Sequence, residues 1–346
     1  MSKFPKPAWI VLLTLIVAPV SSYGADSVNV YSARKGELIR PLLEAFTAET
    51  DITVNVVSGK ADALLVRIQN EGRNSPADVL LTVDAGRLAR AKQAGVLAPL
   101  ESETLDQLVP AHLQDVDKEW VGLSLRARPI LINTEYFKNN PEIETPTRYA
   151  DLASSSYTGK ICIRSSSNIY NQSLVASQIA HNGEEVTGEW AQGLVNNMAR
   201  KPQGGDRDQI RAAALGQCPI AVANTYYLAK MLSESSSESD RELAGQLTVI
   251  SPDQEGFGTH VNVSGAGVLK TAPNKENAIR LLEYLASDSA QEIYANVNYE
   301  YPIRDDVKQN EILTGFGDFV TDQLNLTKLG ELNPAAVKLM DRAGWK

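Results

Sequence analysis

Between residues 75 and 84 the chain reads Ser75-Pro76-Ala77-Asp78-Val79-Leu80-Leu81-Thr82-Val83-Asp84. The apolar run in this segment starts just after a proline and is followed by helix-period residues that end at Gly95. A short apolar run with these flanks is typical of a strand that is covered on both faces of a sheet. The segment therefore predicts a buried parallel strand in an α/β fold.

Strand-like and helix-like segments alternate on both sides of this run. Upstream, 28–32 and 52–56 have strand patterns, and helix-period residues follow each of them. Downstream, the predicted strands are 123–133, 160–164, 219–223, 247–250 and 261–270. This alternation predicts parallel strands that are joined by crossover helices.

The length of 346 residues corresponds to about two domains. No linker rich in proline or glycine divides the chain. We therefore predict that strands pass between two lobes at 123–133 and 259–270. A ligand is expected in the cleft between the lobes, because concave sites form preferentially at such interfaces.

The composition excludes several classes of protein. The chain has 33 Lys+Arg and 42 Asp+Glu, a formal net charge of −9 and a pI near 5.1. A nucleic-acid-binding protein would present a basic face, so we predict no nucleic-acid partner. With only 2 Cys, a cysteine-rich zinc site is excluded, and the ligands of any metal are expected to be oxygen or nitrogen atoms.

The first residues have the pattern of a targeting segment. Lys3 and Lys6 precede an apolar stretch at 9–20, and Ser22 and Gly24 place small residues before a cut at residue 25. This pattern predicts a signal peptide at 1–24 and an exported protein. The alternative is that the segment stays attached as an N-terminal membrane anchor.

Export bears on the two cysteines, Cys162 and Cys218, which both have apolar neighbours. In an oxidising compartment an even number of cysteines favours a structural disulfide. We predict a Cys162–Cys218 disulfide, and two buried free thiols are the alternative.

Three tyrosines lie where strands end and helices begin. Tyr226 and Tyr227 follow the predicted strand 219–223, and Tyr170 follows the predicted strand 160–164 among small polar residues. All three can be ordinary half-buried tyrosines with satisfied hydroxyls. Alternatively, they bind a cation as phenolates. A phenol with a pKa near 10 ionises at neutral pH only beside a strong positive charge, which favours a trivalent cation such as ferric iron.

Six segments share a resemblance to one known family. They are 75–84, 126–128, 164–173, 201–204, 224–227 and 258–265. In these segments, and in the family's order along essentially the whole mature chain, the sequence resembles the periplasmic ferric-iron-binding proteins of ABC transporters. The resemblance implies an α/β, type II periplasmic-binding-protein fold. Its two lobes each have a central mixed sheet flanked by helices, and crossing strands hinge them.

The lobe boundaries expected for this fold are 25–125 plus 262–305 for lobe 1, and 126–261 plus 306–346 for lobe 2. The resemblance also implies capture of Fe³⁺ in the inter-lobe cleft and delivery to an inner-membrane ABC permease and its ATPase. The mature protein is expected to be a soluble periplasmic monomer without enzymatic activity. In agreement, the sequence contains no Gly-x-Ser-x-Gly, His-Glu-x-x-His or P-loop motif.

Residue by residue, the family's iron-binding tyrosines match Tyr170, Tyr226 and Tyr227. The chain departs from many members after Arg34, where Lys35 stands in the place of a metal-binding histidine. It is therefore more similar to the subgroup in which three tyrosines bind iron and a synergistic anion such as carbonate completes the shell. In that subgroup the arginines that match Arg34 and Arg126 help to hold the anion.

Charge considerations agree with an anion beside the iron. Fe³⁺ with three phenolates is neutral, so an added carbonate brings negative charge that Arg126 and Arg34 can offset. The alternative for either arginine is a salt bridge within the protein. The alternative function is the same fold holding an oxyanion or another small solute without metal, with both arginines and 165–167 around it.

Overall fold

Two β-sheets flanked by helices make up the computed structural model, which describes residues 26–346. The predicted signal peptide at 1–24 lies outside the described residues. The strands are β1 (Ser27–Ser32), β2 (Thr53–Ser58), β3 (Val79–Val83), β4 (Val121–Ala127), β5 (Ile130–Asn133), β6 (Ile161–Cys162), β7 (Ile220–Val222), β8 (Leu247–Ile250) and β9 (Val261–Val268).

The α-helices alternate with these strands in the first two thirds of the chain and then follow one another. They are α1 (Gly36–Thr50), α2 (Ala61–Glu71), α3 (Ala85–Gln93), α4 (Glu103–Leu108), α5 (Thr134–Asn139), α6 (Ile169–Asn196), α7 (Asp206–Ala214), α8 (Thr225–Leu232), α9 (Glu238–Ala244), α10 (Lys275–Ala286), α11 (Asp288–Ile293), α12 (Glu311–Thr314), α13 (Thr327–Glu331) and α14 (Asn333–Arg342). Over the span 26–346, none of the helices combines the length and the apolar character needed to cross a bilayer.

Both sheets are mixed. The first sheet has the order β2-β1-β3-β9-β4, and the second has the order β6-β7-β5-β8. Strand β3 is parallel to β1, as predicted, but β9 runs antiparallel to both β3 and β4. The expectation of parallel sheets from the alternation alone was therefore wrong, and the mixed sheets implied by the resemblance are confirmed. The reason is that β9 returns from the second sheet and inserts between β3 and β4, which precede it in the sequence.

The predicted continuous strand 123–133 was wrong, because the chain changes sheets within it. Strand β4 ends in the first sheet and β5 begins in the second, with Arg128-Pro129 between them. Pro129 has no N–H to donate to a ladder, and the Arg128 N–H donates to the His260 carbonyl instead (3.1 Å). His260 itself lies in the return crossing from β8 to β9. The two crossings thus meet, while the lobe boundaries stay a prediction.

The run that predicted the buried strand lies at the centre of the first sheet. Val79, Leu80 and Leu81 in β3 are at most 2% exposed, and burying each such side chain contributes about 1.5–3 kcal/mol. Beside β3, Gly267 of β9 allows β4's approach, since a Cβ there would lie 2.6 Å from the Glu119 carbonyl oxygen. The close contact between β9 and the chain that leads into β4 therefore depends on the missing side chain at Gly267.

Asp84, at the end of β3, connects the first sheet to helix α6. Its carboxylate accepts hydrogen bonds from the Ser173 hydroxyl of α6 (2.8 and 2.9 Å), from Asn262 Nδ2 (2.9 Å) and from the Gly86 N–H (2.8 Å). Burial raises the pKa of Asp84 to about 6, because these donors only partly replace water. The contact places the N-terminal turn of α6 against the first sheet.

The predicted disulfide is confirmed. Cys162 in β6 and Cys218, just before β7, are bonded, with Cα atoms 5.6 Å apart and 56 residues of sequence separation. Both are buried. The bond therefore links the two parallel strands whose carboxyl ends lead to Tyr170 and to Tyr226-Tyr227.

We expect the double variant Cys162→Ala/Cys218→Ala to lower the free energy of unfolding by about 4 kcal/mol. The reason is that the unfolded chain gains conformational entropy when the long loop is no longer closed by the bond. Urea unfolding of the purified mature protein measures this. Reduced wild-type protein is the control and should unfold at the same denaturant concentration as the variant. An unchanged midpoint in both samples would contradict a stabilising role for the bond.

Candidate functional site

Tyr226 and Tyr227 occupy the first turn of α8, directly after β7, as the sequence predicted. Asn224 is extended and precedes the helix, which turns the chain sharply at the carboxyl end of the strand. The two rings lie with centroids 4.1 Å apart and planes 32° apart. Tyr226 is buried and Tyr227 is half-buried, so the pair does not lie on an open surface.

Tyr170, the second residue of α6, completes a group of three phenols. Burial raises the pKa of Tyr227 to about 12, and the neighbouring phenol of Tyr170 contributes to the rise. The same two causes raise the pKa of Tyr226 well above its usual 10. The three phenols are thus within electrostatic reach of one another. Tyr226 and Tyr227 stay protonated at neutral pH unless a cation binds.

A buried guanidinium holds the two tyrosine-bearing segments together. Arg128 Nη1 donates to Asn224 Oδ1 (2.7 Å) and to Asp206 Oδ1 (3.2 Å), and its Nη2 donates to Asn171 Oδ1. Asn171 follows Tyr170 in sequence, and Asn224 precedes α8. Asp206 also pairs with Arg164 Nη1 (2.7 Å). Arg128 lies with its guanidinium carbon 6.0 Å from the Tyr170 ring centroid.

The two arginines predicted to hold an anion converge on Glu300. Arg34 Nη2 lies 3.0 Å and Arg126 Nη2 lies 3.2 Å from Glu300 Oε1, and all three side chains are buried. Both guanidinium groups also donate to the Ser264 hydroxyl. Burial alone would raise the pKa of Glu300, but the two arginines outweigh burial and hold it at about 2. Glu300 is therefore ionised at neutral pH.

The arginine cluster adjoins the phenols through Arg126. Its guanidinium carbon lies 5.5 Å from the Tyr226 ring centroid, and its Nη1 is buried with no hydrogen-bond partner in residues 26–346. Burial alone would lower the pKa of Arg126, but Glu300 raises it, and the phenols of Tyr170 and Tyr227 add to the rise. By contrast, the Lys35 side chain is 72% exposed, with its nearest carboxylate 4.0 Å away on Glu37.

The structure thus brings together Tyr170, Tyr226, Tyr227 and Arg126. It pairs Arg34 with Glu300. Sequence reasoning missed Glu300. The available signal was Arg126, since an arginine in an apolar strand needs a partner, and the segment Asn298-Tyr299-Glu300-Tyr301 contains an acid among aromatic residues. Sequence reasoning also gave no role to Arg128, although this second arginine, two residues after Arg126, carried the same signal.

The histidines occupy positions with structural contacts. His181 Nε2 lies 2.9 Å from Asp322 Oδ2, and its ring stacks on Phe257. Burial lowers the pKa of His260 to about 4, so this residue is neutral at physiological pH. Within 26–346, no group of three or more His, Cys, Asp or Glu residues could hold a metal ion. Tyrosine is not one of these four residue types, so the three phenols stay candidate oxygen donors.

Two mixed sheets with paired crossings, and polar side chains gathered where the strands end, define a two-lobed binding protein of the bacterial solute-binding class. In agreement, residues 74–315 match the family model described as "Bacterial extracellular solute-binding protein". This match spans more than half of the chain, and the protein belongs to that family.

Known proteins of similar sequence and structure point to one kind of solute. The chain is 48% identical to iron uptake protein A1 of Synechocystis sp. over 331 residues, 95% of this chain and 91% of the relative. A Trichodesmium protein described as IdiA or FutA, solved with iron and citrate ligands, is 48% identical with a TM-score of 0.88 over 92% of this chain and 100% of its own. Ferric iron-binding protein A of Mannheimia haemolytica, in an open conformation, is 40% identical with a TM-score of 0.84 over 93% and 99%.

We expect Arg128→Met to lower the free energy of unfolding by about 3–5 kcal/mol, because it leaves buried partners of a guanidinium unsatisfied. The control is Arg148→Met. Arg148 pairs with Asp151 at the surface and is 65% exposed, so its loss should cost less than about 1 kcal/mol. Urea unfolding compares the two variants. Equal losses would contradict a supporting role for Arg128.

Proposed function

We propose that the protein captures Fe³⁺ through phenolates of Tyr170, Tyr226 and Tyr227 and serves as the periplasmic binding component of an ABC iron importer. The observation that carries the proposal is the convergence of three phenols beside the unpartnered Nη1 of Arg126. The printed functions of the relatives, iron uptake and ferric iron binding, support it.

The donor chemistry selects a trivalent cation. Each phenol loses its proton only if binding to the metal outweighs the free energy of deprotonation. Burial has already increased that free energy by raising the pKa of Tyr226 and Tyr227. Three phenolates then cancel the charge of Fe³⁺. The cluster of Arg34, Arg126 and Glu300 carries a net charge of +1, which attracts an anion to the iron. We propose carbonate or another small carboxylate as this synergistic anion.

Transport requires capture outside the cytoplasm and hand-over to a membrane complex. The signal-peptide pattern at 1–24 supports a periplasmic location, and the family of the chain supports an ABC permease with its ATPase as partners. Closure of the lobes about the crossings at 128–129 and 251–260 would cover the bound iron. Protonation of the phenolates, loss of the anion or reduction of the iron would each weaken the site for release.

Titration of the mature protein with ferric citrate, with and without bicarbonate, tests the proposal. We expect a phenolate-to-iron charge-transfer band in the visible range that saturates at one iron per chain. In Tyr226→Phe and Tyr227→Phe the band should fade and iron affinity should fall by more than about 100-fold, since a direct ligand matters more than the outer-shell residues that give 10–100-fold effects.

The matched control is Tyr136→Phe. Tyr136 is half-buried in α5, packed against Phe137, and outside the group of three phenols. This variant should retain the band and the affinity of the wild type. A wild-type protein without any band at saturating iron would refute the phenolate site. Binding of an oxyanion without metal at the arginine cluster would then be the remaining hypothesis.

Proton release provides an independent prediction. Because the pKa of Tyr227 is about 12, its phenol is protonated before iron binds and must lose its proton on binding. Each such phenol should make the apparent iron affinity fall about tenfold for every unit that the pH decreases. Calorimetry in two buffers of different ionisation enthalpy counts the protons. Tyr227→Phe should release one proton fewer per iron than the wild type, and equal numbers would contradict ligation by Tyr227.

A further inference from the structure

The two arginines of the cluster differ in which of their nitrogens lacks a hydrogen-bond partner within residues 26–346. Arg34 donates through Nη1 to Ser264 and to Glu300 Oε2 (3.1 Å), and through Nη2 to both Glu300 oxygens (3.0 and 3.1 Å). Its guanidinium lies over the Tyr294 ring, with 5.4 Å from carbon to centroid. Both terminal nitrogens of Arg34 are thus in use, and its one nitrogen without a partner among the described residues is Nε, next to the aliphatic part of the side chain.

Arg126 has a free donor. Its Nε and Nη2 lie 3.3 and 3.2 Å from Glu300 Oε1, but its Nη1 is buried without a partner among the described residues, and the guanidinium adjoins the Tyr226 ring. A buried N–H without a partner costs free energy until a ligand satisfies it. Arg126 therefore has both the position and the open donor that an anion beside the phenols requires.

The fold fixes Glu300 next to Arg126 whether or not Arg34 is present. Tyr301, the next residue, pairs with Leu125 of β4 through two backbone hydrogen bonds (2.8 and 3.0 Å). The Ser124 hydroxyl donates to Glu300 Oε2. With Arg34 removed, Glu300 would stay in place and neutralise Arg126.

We infer that Arg34 does not contact the anion but is a positioning residue that neutralises Glu300, so that Arg126 keeps a net positive charge and a free N–H for the anion. The inference rests on the proposed function, since it concerns the anion that accompanies the iron. It changes the role of Arg34 that the resemblance implied, from direct anion binding to charge compensation behind Glu300.

The test is the bicarbonate concentration that gives half of the maximal charge-transfer band at saturating iron. Arg34→Met should raise this concentration at least tenfold, because Glu300 then cancels Arg126. The double variant Arg34→Met/Glu300→Gln restores the net charge of +1 and should return to within about threefold of the wild type. Glu300→Gln alone should lower the concentration at least threefold.

The matched control is Arg126→Met/Glu300→Gln, which has the same net charge as the first double variant but lacks the open donor. It should stay at least tenfold weaker than the wild type. Near-ultraviolet circular dichroism confirms that each variant is folded. If Arg34→Met does not fold alone, the two double variants and Glu300→Gln still decide between the roles.

Two results would overturn the inference. Failure of folded Arg34→Met/Glu300→Gln to recover would show that Arg34 binds the anion directly. Equal recovery in both double variants would show that only the total charge counts. Either result leaves the iron band of the wild type intact. Absence of that band in the wild type would instead refute the proposed function, and the inference with it.

Discussion

The buried ion pair between Arg128 and Asp206 is the interaction on which the arrangement of the phenols depends. Tyr170 and Tyr226 follow different strands, and the amides of Asn171 and Asn224 bring their segments onto one guanidinium. A buried charge costs free energy unless it is paired and hydrogen-bonded, so the loss of any of these partners is costly. The planar donor group of arginine also fixes the directions of its partners. The segments are therefore held in one geometry before any ligand arrives, which reduces the cost of binding.

Two cations on one short segment serve two different networks. Arg126, inside β4, pairs with Glu300 on the side of the first sheet, whereas Arg128, just beyond β4, pairs with Asp206 on the side of the second sheet. The change of sheets between them explains how residues two apart act on opposite sides of the site. The Arg128 N–H also donates to the His260 carbonyl in the return crossing, so the segment that supports the phenols also joins the two crossings between the sheets.

The parts of the structure that depend on local sequence were predictable, and those that depend on distant contacts were not. Strand β8 at Leu247–Ile250 has the predicted bounds, because periodicity and turn residues specify it locally. The positions of Tyr170 and Tyr226 at helix starts follow from the same signals. Glu300 lies 174 residues from Arg126, and only the tertiary fold brings them together. The break at Pro129 did have a local signal, but the apolar residues around it favoured one long strand.

The position proposed for the anion explains why capture and closure are expected to be coupled. The arginine cluster belongs to the first sheet and the phenols to the second, with the crossings between them. A rotation about the crossings would separate Arg126 from the Tyr226 ring, which now lie 5.5 Å apart. An anion bound to both the iron and Arg126 would oppose that rotation. Because coupling free energies are reciprocal, the anion strengthens iron binding by the same factor by which iron strengthens anion binding. Under the proposed function, loss of the anion would remove this bridge and leave the iron held by phenolates alone, which compete with protons for every bond.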